Sequence, residues 1–123
     1  MDFNISEEQG MIHEYGKSLS KTYDRAYWME NAAIHRFPEE MYQQVADDGF
    51  LGTMVPEAFG GAGLGMLEML LFQEGIANEG IPLLSLVVGA CMTMSVLAEH
   101  GSDDQRNNYS PRKCTSRLPT MAF

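Results

Sequence analysis

Apolar residues recur at three- and four-residue spacing at Ile12, Tyr15, Leu19 and Tyr23, the stripe of an amphipathic helix. Its start is legible: Ser6 followed by Gln9 is a capping-box pair, with Glu7 and Glu8 placing negative charge in the first turn. The spacing predicts that this helix ends near Arg25, and that "AYWMENAAIHRF" is a connection with Trp28 and Phe37 as packing anchors. Pro38 suits the first turn of a second helix. In "PEEMYQQVADDG" the apolar pairs Met41/Tyr42 and Val45/Ala46 alternate with acid and amide pairs, and Gly49 supplies a left-handed stop. A third helix is expected from Met66 to Asn78, closed by Gly80 and Pro82. A fourth, without charge, runs to Glu99 with Gly101 as its stop. Ser102 and Gln105 then cap a short fifth helix, with Asp103 and Asp104 in its first turn. No stretch alternates as a strand would. Phe50–Val55 reads as an extended loop, and the fold class is all-α, a bundle of five helices followed by an irregular tail.

The uncharged stretch from Ile81 to Ala98 is eighteen residues long, the lower edge of what spans a bilayer. Pro82, Ser85, Gly89, Thr93 and Ser95 dilute it, and no basic cluster flanks it. A buried helix, apolar all round, at the centre of a bundle is expected instead. A single membrane span is the rival reading.

Composition narrows the field. A net charge of −9 repels phosphate backbones and anionic headgroups, which argues against nucleic acid or a membrane surface as partner. Cys91 and Cys114 form neither a CxxC pair nor a disulfide framework, and the N-terminus lacks an apolar leader; a cytoplasmic protein with free thiols is expected. His13, His35 and His100 have no zinc-ligand spacing, so no metal site is expected. The carboxylates of Glu7/Glu8, Glu39/Glu40 and Asp103/Asp104 sit at helix starts, where the dipole already accounts for them. Glu68 and Glu74 are read as a solvated face. The ten methionines suit either core or the wall of a pocket for a flexible chain.

"PEAFGGAGLG" gathers four glycines in ten positions. A P-loop needs a Lys followed by Ser or Thr, and no Lys or Arg lies between Arg36 and Arg106. A dinucleotide fingerprint needs a third glycine where Met66 stands, and a strand before it. The glycines are therefore read as a bend that permits positive φ and close backbone approach, pinned by Phe59 and Leu64.

Taken in order, "DFNISEEQ", "FPEEMYQQVADDGFLG", "PEAFGGAGLGMLEMLLFQEGIA" and "AEHGSDDQRNNY" resemble the N-terminal helical domain of the acyl-CoA dehydrogenases. That family shows F-x-L-x-x-E-Q, a proline-led helix ending in Gly-hydrophobic, P-E-x-[YF]-G-G-x-G, E-x-[IL]-[AG], and G-[ST]-x-x-Q before a short helix. The resemblance covers residues 2–109, which are expected to form one domain. Residues 110–123 are expected to be an irregular tail leading toward an absent β-domain. Within that tail Ser110 and Arg117 depart from the family pattern, so a truncated product is expected.

The resemblance implies an FAD-dependent oxidoreductase that converts acyl-CoA to 2,3-enoyl-CoA. In the family the catalytic base lies in the C-terminal helical domain, and most flavin contacts come from outside the N-terminal domain. By resemblance, then, this chain holds no catalytic residue, does not bind FAD alone and is inactive alone. Its contribution is to wall the acyl pocket, with Leu84, Ser85, Val88 and Met92 as substrate-pocket positions and Phe123 near the flavin. It docks on a missing β-domain and a C-terminal helical domain, within a possible homo-oligomer. The alternative is a stand-alone helical interaction module or pseudogene product.

Overall fold

The computed structural model describes residues 4–81 and 86–108, without the side chains of residues 90 and 91. Among these residues it is helical with no strand. The α-helices are α1 (Glu7–Thr22), α2 (Arg25–Ala33), α3 (Glu39–Asp47), α4 (Met66–Ala77) and α5 (Met94–His100), with α6 over residues 103–108. Short 3₁₀ turns occupy Phe50–Gly52 and Glu57–Phe59, and a π-helix occupies Leu86–Thr93. The chain divides into two compact units, one of residues 1–37 and 66–83, the other of 38–65 and 84–123.

In the first unit α1 begins as its sequence dictates. The Ser6 hydroxyl accepts the Gln9 amide, and the Gln9 side-chain oxygen accepts the Ser6 amide at 2.9 Å. The Gln9 side-chain nitrogen then donates to Glu68 of α4 at 2.8 Å. Further along, Gly16 meets Gly75, where a Cβ on Gly16 would lie 2.5 Å from the Phe72 carbonyl oxygen and 3.1 Å from the Gly75 Cα. Gln9 with Glu68 and Gly16 with Gly75 share one sequence offset of 59, so α1 and α4 run parallel. Leu19, Met69, Phe72 and Ile76 fill this unit's core, with Tyr15 stacked on Phe72 at 5.9 Å. Lys17, 2.7 Å from Glu14, holds that exposed carboxyl below the usual range, first by its hydrogen bond and then by its charge.

Residues 25–33 correct the sequence reading, which made them a connection. Asp24 caps α2 by accepting the Tyr27 amide at 3.0 Å. The helix closes in a Schellman motif: Arg36 N–H reaches the Asn31 carbonyl and His35 N–H the Ala32 carbonyl. His35, with φ 54°, takes the left-handed position where glycine is the usual signal. No glycine marks the stop, so this helix end lacks the usual sequence signal. Trp28 packs edge-on against Tyr27, as an anchor should, and Phe37 is about one-third exposed at 36%.

In the second unit α3 buries the four side chains its alternation selected, Met41, Tyr42, Val45 and Ala46. Pro38 stands one position earlier than expected, as the N-cap, and Gly49 turns left-handed at φ 85°. Burial pushes the Tyr42 phenol up to about 12. Since the folded state holds this proton more tightly than the unfolded one, Tyr42 favours folding below its ordinary pKa of about 10 and withdraws that contribution as pH climbs toward 12. Ultraviolet titration should show one phenol ionising last, lost in Tyr42→Phe, with stability falling over the same interval.

Val55 and Met94 form a further buried cluster, with Phe59 and Leu97 packed against it. The uncharged stretch differs from the all-round buried rod that was expected. Leu86, Gly89 and Met94 are buried, but Met92 and Val96 face outward. Residues 86–93 are also a π-helix rather than α; the Thr93 hydroxyl bonds the Val88 carbonyl, five residues back. Among the described residues no helix is long and apolar enough to cross a membrane.

Candidate functional site

The glycine loop is closed upon itself. The amide of Gly60 donates to Glu57, Gly61 to Pro56, Ala62 to Gly52, Gly63 to Val55 and Leu64 to Thr53, at 2.9 to 3.3 Å. Gly60 and Gly63 have φ of 84° and 65°, which a side chain would strain. Gly61 is pressed on Val55, so a Cβ there would collide with the Val55 carbonyl oxygen and Cβ. Five successive N–H groups that would have to turn toward a phosphate are thus spent on carbonyls of the same loop. The nearest following cation, Arg106, is engaged as well: it donates to the Glu99 carbonyl at 3.3 Å, faces Asp103 at 3.6 Å and lies over the Phe59 ring at 5.8 Å. This loop and its surroundings do not fit the pyrophosphate of a flavin dinucleotide.

The apolar surface of the π-helix and α5 is the better candidate. Met92 and Val96 are 59% and 60% exposed, and Val88 is half-buried. Beside them a wide-mouthed depression of about 490 Å³ is lined by Thr93, Val96, Leu97, His100, Gly101 and Gln105. Such a surface can lie along an alkyl chain but offers no paired nucleophile and base. Ser95 donates to the Met54 sulfur at 3.7 Å. Glu68 is held by Gln9, and Glu74 stands 4.0 Å from His13 in solvent, so both carboxylates belong to the α1–α4 seam. Among the described residues no cluster of His, Cys, Asp and Glu is placed to hold a metal.

Of the pocket positions read from the sequence, Val88 and Met92 fall on this segment. Leu84, Ser85 and Phe123, with the whole 110–123 tail, lie outside the described residues. Val96, which the resemblance did not single out, stands outward one helical turn beyond Met92. Arg106, on α6, ties that helix to the Glu99 carbonyl of α5 and to Phe59 of the loop.

The described residues are all helix and turn, with a self-bonded glycine loop and the outward apolar side chains of Met92 and Val96. The sequence profile of the acyl-CoA dehydrogenase N-terminal domain matches residues 6–117, and the chain belongs to that family. It is 34% identical over 121 residues to acyl-CoA dehydrogenase FadE12 of Mycobacterium tuberculosis, covering 98% of this chain and 31% of that protein. Acryloyl-CoA reductase (NADH) of Anaerotignum propionicum is 25% identical over 112 residues, covering 91% of this chain and 28% of the relative. The chain therefore spans about a third of the length of the relatives it matches. A solved chain from work on the electron transferring flavoprotein of Acidaminococcus fermentans superposes with a TM-score of 0.75 at 21% identity, over 94% of this chain and 30% of that one, and so shares the fold.

Proposed function

We propose that this chain walls the acyl cavity of an FAD-dependent acyl-CoA dehydrogenase, whose complete form oxidises acyl-CoA to 2,3-enoyl-CoA. The observation that carries the reading is the outward apolar pair Met92 and Val96 on the segment the family resemblance assigns to the wall. Val88 and Met92, with Leu84 and Ser85, are the positions that contact the acyl chain, and Phe123 approaches the flavin. The base and the flavin pyrophosphate site belong to the remaining two-thirds that the relatives carry. Met66, Leu67 and Leu70, exposed along α4, support docking on those other domains in a homo-oligomer. A cytoplasmic setting goes with two cysteines that form no framework.

The chain alone is expected to show no flavin band near about 450 nm and to oxidise no acyl-CoA. Grafted in place of the matching third of Mycobacterium tuberculosis FadE12, it should restore a flavin-loaded acyl-CoA dehydrogenase. In that chimera Met92→Trp should lower kcat/KM for long acyl chains relative to short ones by roughly tenfold. Turnover by the isolated chain would overturn the reading. So would an active chimera whose chain-length profile ignores Met92→Trp.

A further inference from the structure

Leu86–Thr93 is an eight-residue π-helix, in which amides reach carbonyls five residues back. Most such spirals last a single turn, so something must hold a longer one. The Thr93 hydroxyl donates to the Val88 carbonyl at 3.0 Å. A threonine in an α-helix bonds three or four residues back. Here the hydroxyl has chosen the carbonyl that the π register, and not the α register, places under residue 93. The segment's own sequence adds little pull toward the α form, because Val87, Val88, Gly89 and Thr93 are weak α formers. Downstream the chain is anchored, with Met94 buried against the Val55 cluster; upstream Leu86 is buried at 1% exposure.

We propose that Thr93 is a positioning residue that locks residues 86–93 in the π register, and that the segment passes to the α register when its hydroxyl is removed. The Val88 carbonyl then accepts the Met92 amide. Because Met94 stays anchored, the residues upstream turn about the helix axis by about 100°, one residue's worth. Leu86 leaves its buried seat and Val88 changes face. The register therefore decides which side chains of this segment stand toward the acyl chain. That consequence rests on the proposed wall role; the register itself does not.

Solution NMR of the whole chain tests it. Wild type and Thr93→Ser, which keeps the hydroxyl, should show proximity between the Val88 Hα and the residue-93 amide. Thr93→Val, nearly the same shape without the hydroxyl, should show Val88 against the Met92 amide instead, with Leu86 methyl resonances moving toward their exposed values. Thr93→Ala gives the same discrimination should Thr93→Val fail to fold. An i+5 pattern that persists in both hydroxyl-free variants overturns the lock, and so does an i+4 pattern in the wild type. Failure of the wall role would show separately, as an unchanged chain-length profile in the Met92→Trp chimera.

Discussion

Gly16→Val is expected to lower the stability of the α1–α4 pair by about 3 kcal/mol or more, the upper range for overpacking. The first side-chain carbon would sit 2.5 Å from the Phe72 carbonyl oxygen and 3.1 Å from the Gly75 Cα, both backbone atoms of α4. Backbone inside a helix cannot swing aside as a side-chain tip can, so the helices must separate. Separation exposes the buried side chains Leu19, Phe72 and Ile76 and stretches the Gln9–Glu68 bond at the other end of the seam. Urea unfolding should show the midpoint fall by about 1–2 M at unchanged slope. Gly75→Val should do the same from the facing side, since its Cβ would collide with the His13 carbonyl. Gly10→Ala is the control: its Cβ meets nothing within 4 Å, and relief of glycine's backbone entropy should raise stability by about 0.5–1 kcal/mol. Equal responses at Gly10 and Gly16 would refute the close crossing.

Gly61→Ala is the second large effect. A single methyl carbon would overlap the Val55 carbonyl and Cβ, and the loop can make room only by lifting off residues 52–55. That breaks the bonds from Ala62 to Gly52, Gly63 to Val55 and Leu64 to Thr53, which at about 1 kcal/mol each amount to roughly 3 kcal/mol. Hydrogen exchange should report it locally, with the amides of residues 62–64 losing protection together. Ala62→Ser, at the exposed neighbouring position, should stay within about 0.5 kcal/mol of wild type. Were the glycines present to receive a phosphate rather than to pack, Gly61→Ala would leave these amides protected.

Much of this was legible because local chemistry and burial point the same way. Ser6/Gln9 and Ser102/Gln105 both close capping boxes, and α3 buries the residues its alternation chose. Three features were hidden for identifiable reasons. The α2 helix ends on His35, a left-handed residue with a Cβ, so the usual stop signal is missing. The π-helix carries a hydroxyl bond five residues back, and spacing in an uncharged, mostly apolar stretch carries no phase to distinguish five residues from four. The Gly16–Gly75 crossing joins positions 59 apart, each an ordinary helical glycine when read alone. For the proposed wall, the family resemblance and not the spacing pointed to Val88 and Met92, and a rod expected to be buried on every side concealed that Met92 and Val96 point outward.

The parallel seam also sets an order of events during synthesis. The larger part of the first unit, through residue 37, is made before its mate at residues 66–83 exists. At about 5–20 residues per second the offset of 59 amounts to roughly 3–12 s in which Leu19 and Ile12 have no permanent cover. Nascent α1 thus carries its apolar stripe uncovered until α4 follows it out.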